Sequence, residues 1–586
     1  MPVSRSRRQV LQGAASAALT TSVMGSLSTP AQAAEDTFDV IVIGSGAAGM
    51  TAALSAAKRG LRAVVIEKAN KFGGSTARSG AGIWIRNNEV LRQAGVTDTP
   101  EQAAAYLDAV VGPIVPAERK AAYLQQGPAM ISFILRNTPM RFRWMEGYSD
   151  YYPELPGGKP NGASIEPDQF DGRLLGKELA NLNPPYLATP PGVVIFGGEY
   201  KWLNLAAVSA KGALVAANAV ARYVEAKLKG EIPLTMGQAL AAGLRAGLLQ
   251  ANVPVWLNTP LIDLQFDHNG RVNGVLVSKN GTPTLIQATR GVVMAAGGFE
   301  HNLKMRLEYQ QHPITTDWTV GTKTNTGDGI LAGQRAGGAL DLMDDAWWGP
   351  VIPLPDGPYF VLAERTLPGS IMVNSQGKRF VNEAAPYTDF VHTTYLQSLV
   401  SQDITAWMVV DQRFRNRYLF KETLPFLPLP QSWYDAGVVV KDLTLEGLAA
   451  KMGVPPAALR NTVQRFNGFA DAGKDLDFHR GDSAYDHYYT DPAVRPSSSL
   501  AALRYAPFYA FKIRPGDLGT KGGLRTDARA RVLRDDGSVI EGLYAAGNNS
   551  ASVMGHSYAG AGSTIGPAMT FGYIAGNDLA DNSTSV

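Results

Sequence analysis

The sequence contains no cysteine. That excludes disulfides, thiolate-held zinc, cysteine-ligated iron–sulfur clusters, covalent haem attachment and a thiol nucleophile. Histidine is scarce, with seven residues in 586, and none stands at the spacing of a metal-binding motif, so no metal is expected. Charge is also modest. A net charge of +3 over this length, with no basic run interleaved by aromatics, argues against a nucleic-acid surface. Long apolar runs are missing too. The longest near the N-terminus, Gly13 to Leu27, is short and rich in Ala, Ser and Thr, which does not suit a permanent membrane span.

What is present is a globular composition, 45% hydrophobic and 18% charged, on a chain too long for one ordinary core. The first residues read as a targeting segment. Ser6-Arg7-Arg8-Gln9-Val10-Leu11-Gln12 is of twin-arginine type, the mild apolar stretch follows, and Ala31-Gln32-Ala33 reads as a cleavage site. A signal peptide over residues 1–33, export to the periplasm and a membrane-associated location are the expectation. A disordered basic tail is the alternative. A twin-arginine route suits a protein that folds around a cofactor before export.

The stretch that organises the chain is Asp39 to Lys68. Val40 to Ile43 is a short β-branched run, read as a buried strand. Gly44-Ser45-Gly46-Ala47-Ala48-Gly49 follows. Gly44 permits a tight turn, Gly46 lets backbone approach a diphosphate, and Gly49 lets the helix pack onto the strand. Met50 to Arg59 is Ala-rich and helical, so its amides would point at bound phosphate. A second apolar run, Leu61 to Ile66, ends at Glu67, the acid such a fingerprint places on a ribose hydroxyl. A lone glycine motif is weak evidence, but strand, glycines, helix, strand and acid in order specify a dinucleotide site. The loop from Lys71 to Gly82 is made of small residues that let backbone approach a flat ring.

Further along, Thr99 to Leu135 has helical periodicity, and Gly147 to Pro153 is a turn-like aromatic cluster. Residues 202–250 read as a pair of core or surface helices. An amphipathic helix on a membrane surface, with Lys211, Arg222, Lys227 and Lys229 on its polar face, stays open beside that reading. Leu264 to Val277, with Asn269-Gly270 between apolar runs, reads as a β-hairpin. Arg290 to Glu300 is a buried strand ending in glycines. Gly/Ala-rich sequence returns at Gly519–Leu524 and Gly542–Asn548, before an apolar helix, Ile565 to Leu579.

These motifs together resemble the 3-ketosteroid Δ1-dehydrogenases, within the fumarate-reductase-like flavoproteins. The matching segments are GSGAAG at Gly44, FGGSTARSGAGIWI at Phe72, AAGGFE at Ala295 and DDAWWGP at Asp344. They continue with GKRFVNEAAPY ending at Tyr387, GTKGGLRTD at Gly519, and LYAAGN through HSYAGAGSTIGPA. The resemblance implies an α/β fold, with a Rossmann-like FAD-binding domain in two sequence pieces and an inserted α+β catalytic domain. The pieces expected are residues 36–340, with a helical insertion at about 202–250, then a catalytic domain over 341–514, then 515–580. It implies FAD as cofactor, held by Gly44, Ser45, Gly46, Ala47, Ala48, Gly49, Glu67, Lys68, Gly74, Ser75, Thr76, Ser79, Gly80, Ala296, Gly297, Gly547, Asn548, Thr564 and Ile565.

It also implies 1,2-desaturation of a 3-ketosteroid. No nucleotide site beyond the FAD fingerprint is evident in the sequence, so a quinone or other acceptor is expected to take the electrons. Tyr387 resembles the base that removes the C2 proton. Tyr558 and the N–H of Gly562 resemble the pair that binds the C3 carbonyl. Tyr151 resembles the tyrosine that assists the base, with Tyr148 and Tyr152 close enough to take its place. A tyrosine is a poor base at its ordinary pKa of about 10, so Tyr387 needs either a lowered pKa or a relay. Three alternatives stand beside this reading. A fumarate-type reductase would need arginines for two carboxylates, and residues 535–586 hold no Arg or Lys. A ketosteroid enzyme acting at C4–C5 would use the same fold. A flavin- or steroid-binding protein without turnover would keep the cofactor and lose the chemistry.

Overall fold

The computed structural model describes residues 37–401 and 403–581. The expected signal peptide lies outside the described residues. The first strand, β1 (Thr37–Ile43), is buried along its second half. The glycine loop follows, then α1 (Ala47–Lys58), which buries every residue from Ala47 to Ala56. Strand β2 (Ala63–Ile66) pairs in parallel with β1 and is wholly buried. Parallel strands covered on both faces read as unbroken apolar runs, which is why both were legible.

The 202–250 stretch resolves into α2 (Ala210–Leu228) and α3 (Met236–Gln250). Helix α3 buries nearly every residue from Gly237 to Leu248, so it is a core helix and cannot lie on a membrane. Helix α2 exposes Leu214, Val224 and Leu228. Of its expected polar face, Arg222 is tied down, donating to Glu199 at 2.6 Å and to the carbonyl of Val194. Among the described residues, no helix is long and apolar enough to cross a membrane.

Strand β3 (Val255–Trp256) joins β2 in parallel. Strands β4 (Leu261–Phe266) and β5 (Val272–Lys279) form the expected antiparallel hairpin, and β5 pairs with the long β6 (Thr282–Met294). The chain then builds a second, antiparallel sheet from β7 (Ala346–Leu354), β8 (Gly357–Phe360), β9 (Ser370–Asn374), β10 (Ala406–Asp411), β11 (Val439–Asp442) and β12 (Phe508–Thr520). Helix α4 (Tyr387–Ser401) lies between β9 and β10 in sequence. Strand β12 is the hub, pairing with β7, β10 and β11. It runs unbroken through residues 514 and 515, and Arg514, Pro515 and Gly516 all pair with β7.

The last strands return to the first sheet. Strands β13 (Arg531–Leu533) and β14 (Val539–Ala545) complete it, with β14 parallel to β6. Its path is β13-β14-β6-β1-β2-β3, with β5 and β4 added beyond β6. Helix α5 (Ile565–Asp581) closes the chain against α1. The contact is so close that a Cβ on Gly572 would stand 2.3 Å from the carbonyl oxygen of Ala48, and one on Gly576 2.5 Å from that of Ala52. Two stretches more than 500 residues apart in sequence thus share one seam, with the amino end of α1 beside Gly572, two turns into α5. This is a mixed α/β fold.

Candidate active site

A cavity of about 420 Å³ runs from the glycine loop to a cluster of tyrosines. At one end it is lined by Gly44 to Ala48, Glu67, Lys68, Gly74, Ser75 and Thr76. Gly44 has φ +105°, and a Cβ there would sit 2.3 Å from the carbonyl oxygen of Ala295. Glycine is therefore obligatory for the chain itself. Gly46 is different. A Cβ there would meet nothing nearer than the Thr76 hydroxyl at 3.7 Å, so its bareness leaves space beside the helix N-terminus. Gly74 and Gly80 likewise face open space. Gly46, the N-cap of α1, offers no capping side chain, and only the N–H of Ala47 finds one, donating to Thr76 Oγ1 at 3.0 Å; Ile565, the first residue of α5, also lines the cavity. Two helix N-termini opening on one elongated cleft suit an anionic diphosphate and an electron-rich ring. The residues fit FAD.

The acid behaves differently from its simplest reading. Glu67 lines the cavity, but its Oε2 accepts from the backbone N–H and hydroxyl of Ser45, at 3.0 and 2.7 Å, and its Oε1 from the N–H of Ala69 at 2.8 Å. The carboxylate thus holds the glycine loop in shape, with lone pairs left over for a ribose hydroxyl. Lys68 is paired with Asp328 at 2.6 Å. Gly49 does not line the cavity. A Cβ there would stand 2.0 Å from the carbonyl oxygen of Gly44, so its part is to let α1 pack against the loop. Ser79, Ala296, Gly297, Gly547, Asn548 and Thr564 all line the wall.

At the other end stand Tyr151, Tyr387, Tyr558 and Gly562. Each comes from a different part of the chain. Tyr151 lies in the loop after a short strand, Phe142–Trp144, Tyr387 is the first residue of α4, and Tyr558 and Gly562 precede α5. Backbone bonds lock these loops together. Tyr151 N donates to the carbonyl of Ala559 at 3.1 Å, and Trp84 N to that of Gly562 at 3.3 Å. Gly562 has φ +100°, and a Cβ there would be 2.2 Å from the carbonyl carbon of Gly82. The rings pack on one another. Tyr151 stacks on Tyr558 at 5.2 Å, and Tyr387 meets both edge-on at 5.6 and 5.3 Å.

The hydroxyls separate the three neighbouring tyrosines. Tyr151 Oη donates to Tyr387 Oη at 3.3 Å. Tyr152 Oη turns away to Asp389 at 2.8 Å, and Tyr148 accepts from Tyr489 at 3.4 Å. Tyr151 is therefore the one against Tyr387. Burial pushes the Tyr387 phenol well above its ordinary pKa of 10.0, and the hydrogen bond from Tyr151 works the other way. Tyr558 is also pushed up by burial, offset in part by its 3.1 Å hydrogen bond with Thr564 Oγ1. All three phenols are protonated at neutral pH. Such a site can donate to a carbonyl oxygen at once, but can accept a carbon-bound proton only if another proton moves.

Several residues of the site lie outside the sequence reading. Trp347 packs edge-on to Tyr558 at 5.2 Å and donates to Asn548 Oδ1 at 3.0 Å. Phe360 sets its ring against Tyr387 at 5.2 Å. Lys521, fully buried, donates to Asp345 at 2.9 Å and to the carbonyl of Ser557 at 3.0 Å, pinning the residue before Tyr558. The Trp347 and Lys521 motifs were visible, but nothing in a single sequence says which tryptophan or lysine faces inward. Among the described residues lining the cavity, only Lys68 and Arg78 are basic. With Lys68 paired, the wall lacks the set of free arginines a dicarboxylate requires.

A family model described as FAD binding domain matches residues 39–565. The chain is 54% identical to a 3-oxosteroid 1-dehydrogenase of Mycobacterium tuberculosis, over 93% of this chain and 98% of that one. It is 52% identical to a 3-oxosteroid 1-dehydrogenase of Mycolicibacterium smegmatis, over 93% and 97%. Among solved structures it resembles the 3-ketosteroid Δ1-dehydrogenase of Sterolibacterium denitrificans in complex with 1,4-androstadiene-3,17-dione, with a TM-score of 0.89 and 41% identity, over 94% of this chain and 100% of that one.

Proposed function

The chain belongs to the FAD-dependent 3-oxosteroid 1-dehydrogenases, and on that premise we propose how its own residues divide the work. The activity is removal of the C1 and C2 hydrogens of a 3-ketosteroid. The observation that carries the division of roles is the convergence of Tyr151, Tyr387, Tyr558 and Gly562 at one end of a cavity whose other end is the dinucleotide loop. FAD, when bound, supplies the acceptor for the hydride that leaves C1.

Tyr558 Oη and the N–H of Gly562 bind the C3 carbonyl oxygen. As the C2 proton leaves, negative charge builds on that oxygen, and each fixed donor can lower the barrier by about 3 kcal/mol. Tyr387 receives the C2 proton. Because burial keeps Tyr387 protonated at neutral pH, the form that accepts the C2 proton is the one that has first released its phenolic proton to solvent, and Tyr151 Oη, donating to Tyr387 Oη at 3.3 Å, stabilises that phenolate. Glu67, Ser45 and Gly46 shape the loop that receives the diphosphate. The sheet holding that loop forms a Rossmann-like domain in two sequence pieces, with the segment that carries the second sheet inserted between them as the catalytic domain; the boundary expected at 514/515 falls inside β12, so the insertion ends after Thr520.

Three further elements belong to the same reading. The electrons leave to a quinone or another acceptor that is not a nicotinamide nucleotide, since no second nucleotide fingerprint follows the first. The N-terminal twin-arginine segment sends the folded holoenzyme to the periplasm. The exposed apolar side chains of α2, flanked by Lys211, Lys227 and Lys229, touch the membrane from which an apolar steroid and a quinone would come.

The test is anaerobic mixing of the purified protein with 4-androstene-3,17-dione while flavin absorbance is followed. Bleaching, with a product two hydrogens lighter and unsaturated between C1 and C2, is expected. A new double bond elsewhere, or no bleaching by any 3-ketosteroid, refutes the reading. A cell-fractionation assay with Arg7 and Arg8 both changed to Lys should retain the protein in the cytoplasm.

A further inference from the structure

The ring of Tyr558 is wedged on three sides. Tyr151 stacks on it at 5.2 Å, and Trp347 and Tyr387 meet it edge-on at 5.2 and 5.3 Å. Packing therefore fixes the ring and leaves one thing open, the direction of the phenolic proton. Tyr558 Oη shares a 3.1 Å hydrogen bond with Thr564 Oγ1, in which either oxygen can be the donor. A phenol and a threonine hydroxyl each carry a single proton, so the two arrangements have opposite consequences. If Tyr558 donates to Thr564, it has no proton to offer a ketone. If Thr564 donates, the Tyr558 proton is free for one.

The placement of Thr564 marks this bond as a departure from habit. The residue immediately precedes Ile565, the first residue of α5, and its carbonyl accepts from Ala568 N at 3.3 Å. A threonine at a helix start ordinarily turns its hydroxyl back onto the amides of the first turn. Two others in this chain do so. Thr99 accepts from Gln102 N at 3.2 Å at the start of the helix Pro100–Val111, and Thr444 from Gly447 N at 3.0 Å at the start of Leu445–Met452. Thr564 sends its hydroxyl to Tyr558 instead, and both residues line the cavity.

The electrostatics run the same way. Burial raises the Tyr558 phenol above its ordinary range, and the bond with Thr564 is foremost among the hydrogen bonds that bring it back. As negative charge builds on the ketone oxygen, part of it is drawn onto Tyr558 Oη, where a second donor disperses it. The effect grows as the enolate forms, so it belongs to the rate more than to ketone binding.

We propose that Thr564 is a positioning residue for the desaturation: its hydroxyl donates to Tyr558 Oη, so that the one phenolic proton of Tyr558 points at the C3 carbonyl oxygen of the steroid. The proposal rests on the 3-ketosteroid reading above. It moves the Thr564 hydroxyl from the group expected to hold FAD to the carbonyl end of the site.

The experiment follows flavin reduction in the holoenzyme during one anaerobic turnover with saturating 4-androstene-3,17-dione. That rate constant does not depend on how much of a preparation is folded. Thr564→Val keeps the branched shape and removes the donor. It should slow reduction about tenfold, with the steroid dissociation constant held within about twofold and FAD retained. Thr564→Ala should do the same, which keeps the test open if either variant folds poorly, and Thr564→Ser should restore the rate to within about twofold of wild type. In a Tyr558→Phe background, Thr564→Val should add nothing, because its effect passes through the missing hydroxyl. A second readout needs no turnover. The C3 carbonyl stretch of bound 1,4-androstadiene-3,17-dione, labelled with carbon-13 at C3, should move to higher frequency in Thr564→Val and stay in place in Thr564→Ser. Wild-type rates in the Val and Ala variants, a slowing that persists undiminished in Tyr558→Phe, or loss of FAD from both variants overturns the assignment while leaving the ketosteroid activity intact. If no 3-ketosteroid reduces the wild-type flavin, it is the parent reading that fails, and the assignment falls with it.

Discussion

The hydroxyls of Tyr151 and Tyr387, 236 residues apart in the chain, stand 3.3 Å from each other. What brings them together is backbone. Tyr151 is tied to the loop of Tyr558 through Ala559, and Tyr387 opens α4 beside them. Both phenols are pushed above their ordinary pKa by burial, so neither is a ready base alone.

That relationship sets a kinetic prediction. Tyr387→Phe should lower kcat by about a thousandfold, within the range for loss of a positioned acid–base group, with FAD still bound. Tyr151→Phe should cost less, because Tyr387 remains. The pH profile separates the two roles. The reactive form of Tyr387 has lost a proton, so activity should rise with pH through the neutral and alkaline range. The hydrogen bond from Tyr151 lowers the Tyr387 pKa, so removing it moves the rising limb to higher pH. A Tyr151→Phe profile superimposable on wild type after scaling would show that Tyr151 does not tune Tyr387.

The carbonyl end makes a separate prediction. Tyr558→Phe should lower kcat by about a hundred- to thousandfold, the usual cost of one oxyanion donor, without loss of the fold. Gly562→Ala should do more. Its φ of +100° and the 2.2 Å approach to Gly82 leave no room for a methyl group, so the loop that carries Tyr558 must shift. Thermal unfolding distinguishes them, since Tyr558→Phe should keep nearly the wild-type midpoint and Gly562→Ala should lower it.

Legibility followed locality. The dinucleotide loop was readable because strand, turn, helix and acid lie within 30 residues and each obeys a local rule. The helix of residues 565–579 and the hairpin around Asn269-Gly270 were readable for the same reason. Glu67 was recognised, but not its grip on Ser45, which depends on side-chain reach. Helix α3 escaped a full reading because an Ala/Leu-rich segment has the same composition in a core as on a membrane, and only its neighbours decide. The tyrosines were named through a family resemblance. Among 22 of them, nothing in the sequence alone separates Tyr151 from Tyr148 or Tyr152, whereas hydroxyl direction does so at once. Trp347 and Phe360 meet the site through long-range packing that no spacing encodes.

The glycine loop permits a test in which the protein itself should not object. Gly44→Ala should unfold the loop, since its Cβ would collide with the Ala295 carbonyl. Gly46→Val meets no such obstacle, with φ at −72° and open space around the Cβ. The apoprotein of Gly46→Val should therefore fold with a near-native circular dichroism spectrum and fail to retain FAD, because the side chain fills the diphosphate's path. Retention of FAD at wild-type stoichiometry would mean that the diphosphate lies elsewhere.

A buried carboxyl away from the tyrosines predicts how stability depends on pH. Glu300 is fully buried, its Oε1 accepts from Asn325 at 2.7 Å, and its Oε2 has no partner. Burial first, and the charge of Asp517 second, raise its pKa from 4.5 to about 7. Folding therefore favours the protonated acid. The associated stability is fully present below the unfolded value near 4.5 and is lost as pH rises through about 7. A shift of this size is worth about 3 kcal/mol, as an order of magnitude. Glu300→Gln mimics the protonated form at every pH. The variant should match wild type near pH 4.5 and exceed it at pH 8, so the difference in unfolding midpoint widens across that interval. Asp150 and Glu166, whose values burial also raises, to about 6 and about 7, leave a residual slope in both proteins. Unfolding curves that stay parallel from pH 4.5 to 8 would show that Glu300 is ionised in the folded protein and paired in a way its hydrogen bonds do not reveal.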